Sequence, residues 1–229
     1  TYIQVMNTIS LKRRFYGSMA GILLTATLFS QETFKPELAV GASFGTTFSS
    51  VSFTPKVQQG MLMGYTAGVT ARYNTEKNVG LQAELNYVQQ GWKEQFDLNP
   101  EFTYSRTINY IELPVFTHIY FGGKNAKFYI NLGPKIGYAL NEKTESNLGD
   151  ATPNTTNDQH DMPIDKKFDW GLCGGPGLEI RTGVGYFLLE GRYYYALGDM
   201  YNSKKADIFP KSSAQVLSVK LTYLLPLFK

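Results

Sequence analysis

The stretch Met61–Tyr73, MLMGYTAGVTARY, decides the fold class. Met61, Met63, Tyr65, Ala67, Val69, Ala71 and Tyr73 are apolar or aromatic, and the residues between them are mostly small or polar. Alternation with period 2 puts one set on each face of a β-strand, and helical spacing cannot produce it. The end of the chain repeats the pattern, with Leu217, Val219, Leu221, Tyr223, Leu225 and Leu227 set against Ser218, Lys220 and Thr222. Similar segments run at 38–51, 79–93, 106–121, 126–140, 166–182 and 185–199, which predicts eight strands, several of them longer than is usual in soluble sheets.

The connections sort into two kinds. Those at 52–59, 94–105, 141–165 and 200–213 read as long and polar, whereas those at 74–78, 122–125 and 183–184 are tight and rich in Asn and Gly. Long loops on one rim and short turns on the other describe an antiparallel up-and-down transmembrane β-barrel.

The composition fits one large domain and excludes disorder: 229 residues, 43% hydrophobic and 14% aromatic, with charged residues at only 18%. The single cysteine, Cys173, excludes a disulfide framework and a cysteine-cluster zinc site. Lys12-Arg13-Arg14 followed by the apolar run Phe15–Phe29 has the form of a cleavable signal peptide, and the run is shorter than a spanning helix. We therefore assign 1–30 to upstream residues and signal peptide and 31–229 to the barrel. The formal charge of +3 belongs to those three bases. The remaining chain is neutral, which removes the electrostatic footprint of a nucleic-acid binder.

Eight alternating strands also fit a soluble lipocalin-like barrel that binds an apolar ligand inside. The charged residues separate the two readings. Arg72, Glu84, Glu112, Lys135, Asp169, Glu179, Arg181, Glu190, Arg192 and Lys220 all lie on the polar faces, as many acids as bases. Inside a narrow barrel such a set can pair across the lumen, where an unpaired ion is costly. The apolar set is too large to fit within eight strands, so it faces lipid. Tyr73, Phe121, Phe128, Phe187 and Tyr223 are expected at one membrane level, and Phe44, Phe48, Tyr87, Tyr138, Trp170, Tyr193 and Tyr195 towards the other. Aromatics are also good strand formers in any sheet. The last strand ends Tyr-Leu-Leu-Pro-Leu-Phe-Lys, with Phe228 penultimate and Pro226 expected to interrupt it.

The chain resembles the PorT-like family of small outer-membrane β-barrels. The residues that carry this are Gly64-Tyr65-Thr66-Ala67-Gly68, Leu81-Gln82-Ala83-Glu84-Leu85-Asn86-Tyr87 with Gln90-Gly91, Tyr110-Ile111-Glu112-Leu113-Pro114, Gly133-Pro134, Phe168-Asp169-Trp170-Gly171 and Glu190-Gly191-Arg192-Tyr193. The resemblance spans most of Leu38–Lys229. It implies an eight-stranded barrel in a Gram-negative outer membrane and a link to protein secretion.

Candidate chemistry is sparse. His118 has the inward parity of Glu112, and no G-x-S-x-G supplies it with a serine. His160 reads as a residue of a solvated loop. Gly174-Gly175-Pro176-Gly177 cannot be a phosphate loop, because Pro176 lacks a donor and no helix follows; it reads as a place of bending or close packing. We expect no catalytic residue, no metal and no cofactor. The expected role is structural or interactive, through external loops over a lumen closed by charged side chains. Expected partners are outer-membrane lipid and envelope or secretion-system proteins, with the barrel itself a monomer.

Overall fold

Alternation along the chain becomes a closed ring of strands in the computed structural model, which describes residues 34–151, 153, 158–160, 162–202 and 208–228. The strands are β1 (Glu37–Thr54), β2 (Gln59–Gly60), β3 (Leu62–Glu76), β4 (Val79–Glu94), β5 (Tyr104–Gly122), β6 (Ala126–Ser146), β7 (Phe168–Thr182), β8 (Gly185–Ala196) and β9 (Lys211–Phe228). Every long strand pairs antiparallel with its neighbours in the chain, and β1 closes the ring on β9. The two-residue β2 is an appendage on β4. The predicted signal peptide lies outside the described residues.

The eight predicted strands are the eight long ones, but several run further. β1 continues to Thr54, β6 to Ser146, and β9 begins at Lys211, within segments expected to be loop. A membrane-crossing strand needs about 9–11 residues. The 21 residues of β6 therefore carry the sheet well past the bilayer at the loop end. The turns are tight: Asn78, between β3 and β4, takes the left-handed φ of 73° that Asn tolerates.

The faces divide as the side chains require. Phe44, Val69, Leu85, Leu113, Leu132, Trp170, Leu178, Leu189 and Leu221 are exposed, and Glu84, Glu112, Glu190, Arg192 and Lys220 are buried. A polar-outside barrel with an apolar cavity is thereby excluded, and with it the lipocalin-like reading. Phe121 lies opposite Phe128, and Phe187 opposite Tyr223, at the turn end of the apolar belt. Tyr87, Ile111, Tyr138 and Phe168 form one row at its other limit. Tyr195, half-buried, lies opposite the outward Leu172, and its hydroxyl accepts a hydrogen bond from Lys211 at 3.4 Å.

Two irregularities change what the sequence implied. Pro226 does not interrupt β9. Leu38 pairs with Phe228 and Ala39 with Pro226, so the ladder absorbs the missing donor in a bulge at Leu227. A second bulge sits at Leu140, because Asn109 faces Asn141 while Tyr110 faces Ala139. Beyond it the inward parity of β6 is reversed.

The glycine-rich run of β7 provides close packing. A Cβ on Gly177 would lie 2.2 Å from the Tyr129 ring, and one on Gly175 would lie 1.9 Å from the Gly191 carbonyl.

Candidate functional site

All ten charged residues singled out from the sequence sit on the inner face, and they fall into three tiers. The central tier is built on Glu84 of β4. Its carboxylate accepts two hydrogen bonds from Arg192 of β8 at 2.9 Å each, one from Lys220 of β9 at 2.7 Å, and amide contacts from Gln82 at 2.6 Å and Asn86 at 2.9 Å. Arg192 also donates to Glu190 at 2.9 and 2.8 Å. Glu190 further accepts from Asn131 at 3.1 Å and from the Tyr129 hydroxyl at 3.2 Å. Burying an ion is tolerated when its donors and acceptors are met this fully.

Towards the turns, Arg72 of β3 crosses the lumen to Glu179 of β7, Arg181 pairs with the same carboxylate, and Arg181 reaches Glu37 at 3.0 Å. Towards the loops, Lys135 of β6 pairs with Glu112 of β5, and its ammonium lies 3.3 Å from the centroid of the Tyr194 ring. Asp169 takes a different partner from the expected cation: it accepts the Tyr194 hydroxyl at 2.8 Å. Glu112 and Arg192 share no hydrogen bond. They face one cavity of about 30 Å³, with Cys173 and Lys220 also on its wall. That is room for roughly one or two waters.

His118 is buried, its Nδ1 2.8 Å from the Asn131 side-chain oxygen. Cys173 is a buried free thiol. Among the described residues, no group of three or more acid, His or Cys side chains could hold a metal ion.

Above the charged tiers the strand extensions and loops build an aromatic plug, in place of the polar connections expected. Phe53 meets Trp92 edge-on at 5.3 Å and Phe209 at 5.1 Å, with Ile108, Tyr110, Met200 and Tyr201 in the same cluster. Even the long 141–165 connection contributes Leu148, and Met162 and Ile164 pack against it. His160 is half-buried rather than a solvated loop residue. Its ring stacks on Tyr104 at 3.9 Å and its Nε2 lies 2.8 Å from Glu94. Gln159, fully buried, donates to the same carboxylate at 2.7 Å. Arg106 completes the site: it pairs with Glu142 at 2.7 Å and donates to the carbonyls of Gln159 and Met162 at 3.0 and 2.7 Å. Burial among these rings raises the phenols of Tyr104 and Tyr201 above their ordinary range.

Glu37, Glu94, Arg106 and Glu142 were not among the residues singled out from the sequence. Glu94 shares the parity of Glu84 one residue past the expected end of its strand, and Arg106 shares that of Glu112 at the first residue of its own, so counting by twos reaches both. Glu142 lies beyond the Leu140 bulge, where counting by twos gives the wrong face.

A closed antiparallel ring with an apolar outer belt, aromatic limits and a paired polar interior defines a transmembrane β-barrel. The chain belongs to the family described as outer membrane protein beta-barrel domain, whose model matches residues 29–202, and this places it in the outer membrane. Among solved structures it is similar to Ail, the attachment invasion locus protein of Yersinia pestis, at 14% identity over 82% of this chain and 99% of that one, with a TM-score of 0.43. It is also similar to Neisserial surface protein A, at 15% identity over 83% and 99%, with a TM-score of 0.42. The outer membrane enzyme PagL is similar at 12% identity over 80% and 97%, with a TM-score of 0.45. No curated protein matches the chain.

Proposed function

We propose that this outer-membrane barrel is a non-enzymatic, non-conducting scaffold that acts through its external rim. The observation that carries the reading is the pairing of the lumen. Glu84, Glu112, Glu179 and Glu190 each spend their oxygens on a cation of the same tier, which leaves none of these four set apart as an acid or base, and Asp169 is taken up by the Tyr194 hydroxyl. The Nδ1 of His118 is engaged by an amide rather than a nucleophile. In this reading the barrel stands as a monomer in outer-membrane lipid, and its partners are other envelope proteins. The PorT-like residues quoted above favour a second, narrower role among them, as an accessory of protein secretion.

The test replaces 147–167 with a short Gly–Ser connection in cells and measures cross-linking to envelope proteins together with secretion. Loss of cross-links, with heat-modifiable migration retained, supports the rim as the working surface. Unchanged cross-links overturn it, and a secretion defect selects the narrower role.

A further inference from the structure

At the loop end, most of the strands that outrun a neighbour have their spare edge covered. The side-chain amide of Gln59 takes both the N–H and the carbonyl of Val51 on β1. On β9, Ser212 donates to Asp199 at 2.7 Å and accepts from the Met200 amide at 3.0 Å. β6 differs. It stays paired with β5 as far as Ser146, but its ladder with β7 ends at Tyr138–Phe168, followed by one bond from the Ala139 amide to the Lys167 carbonyl at 2.8 Å. From Leu140 to Asn147 every residue is exposed, and among the described residues nothing pairs with this edge. The Asn147 amide points to β5, where it bonds the Thr103 carbonyl. Alternation therefore turns the amides and carbonyls of Glu142, Thr144 and Ser146 to the open side.

A notch of about 120 Å³ opens where β7 stops and β6 continues, with Ile108, Ala139, Leu140 and Ile164 as its apolar wall and Asn141, Glu142 and Lys167 as its polar one. A cavity of roughly 150 Å³ holds a benzene ring, so this one suits a single aliphatic side chain. Further out, Lys143 and Glu145 stand on one face, 72% and 66% exposed and paired with each other at 2.6 Å, an exposed contact of small worth that a partner's charges can replace.

We infer that the outer segment of β6 is a strand-addition site for an extended segment of another protein, a reading that rests on the external rim being the working surface. The charges and the notch set the partner's chemistry. Running antiparallel, it presents a basic residue to Glu145, an acidic residue to Lys143 two positions later, and an aliphatic residue to the notch beyond them. A second copy in the same membrane does not fit. Barrel strands tilt about 35–45°, so two edges related by an axis along the membrane normal cross steeply and cannot run antiparallel.

The experiment uses the full chain folded in detergent and a synthetic threonine-rich peptide carrying lysine, aspartate two residues on, and valine three residues further. Hydrogen exchange at Glu142, Thr144 and Ser146 should slow about tenfold with peptide, while Lys143 and Glu145 stay unchanged. Thr144→Pro removes a donor from the open side and leaves the β5 ladder whole; it should weaken the peptide about tenfold, the worth of a hydrogen bond or so. Lys143→Glu should weaken it too, and a peptide with lysine in place of the aspartate should restore binding. Unchanged exchange at millimolar peptide overturns the proposal, as does undiminished binding by a Thr144→Pro chain that still folds. Amides already slow in the free chain would mean its own loop covers the edge. Slowing with protein concentration alone would mean a second copy does. Either outcome overturns the proposed occupant. Loss of cross-links on replacing 147–167 would still stand if the peptide failed, so the two readings fail separately.

Discussion

The bilayer zone of the lumen and the mouth above it are both closed, by opposite chemistry. The lower part is held by Arg72, Glu84, Glu179, Arg192 and Lys220, and the mouth by Phe53, Trp92, Tyr201 and Phe209. Inward positions in the bilayer zone face one another across a narrow ring, so long charged side chains can reach partners on distant strands, as Arg72 reaches Glu179. Such contacts need balance, because each ion depends on its partner for what water would supply. The mouth projects into water, where the hydrophobic effect gathers loop residues, and its polar contacts, Arg106 with Glu142 and His160 with Glu94, are a minority beside the rings. One region therefore depends on exact partnership, and the other on bulk.

Several substitutions can break or sharpen that contrast. Glu84→Ala leaves Arg192 and Lys220 without their shared carboxylate and should cost about 3–5 kcal/mol, read as a lower midpoint in urea unfolding from detergent or bilayer. Glu112→Ala should also lower the melting temperature, by less, since it strands Lys135 alone. Leu132→Arg tests the outer wall: this residue is 62% exposed at the middle of the belt. An arginine there should cost about 3 kcal/mol in a bilayer, and tolerance would mean that this face does not meet lipid.

In the mouth, Met200→Ala should cost about 2 kcal/mol, at the low end for a buried side chain because the loops can settle into the space. Limited proteolysis of the loops should register this more than global unfolding does. His160→Ala should cost about 1 kcal/mol through the lost contact with Glu94, seen as faster hydrogen exchange around Gln159 with the lower ladder unaffected. If Met200→Ala and Glu84→Ala proved equally global, the two regions would be one cooperative unit.

The same contrast explains what could be read from the sequence. In the bilayer zone the rule is strict alternation, and Met61–Tyr73 displays it almost without exception. The inward position of Glu84 or Lys220 thus follows from counting by twos. Which ion meets which depends on strand stagger around the ring, and alternation is silent about that. Asp169, turned to a tyrosine, and Glu112, turned to Lys135, belong to this hidden part. In the mouth there is no period to follow. Met162, Ile164 and Phe209 lie in short apolar patches within polar stretches, and only the folded chain shows that they converge. The bulge at Leu140 marks the boundary, where one extra residue reverses the parity and conceals Glu142.

The seam between β1 and β9 joins the two ends of the barrel's chain, and it also carries charge. Lys220 arrives on β9, the last strand to be made, and binds the carboxylate of Glu84 on β4; Glu37 on β1 binds Arg181 on β7. The strand that closes the ring therefore also brings the last cation of the central tier, so wall and charge balance are completed by the same element.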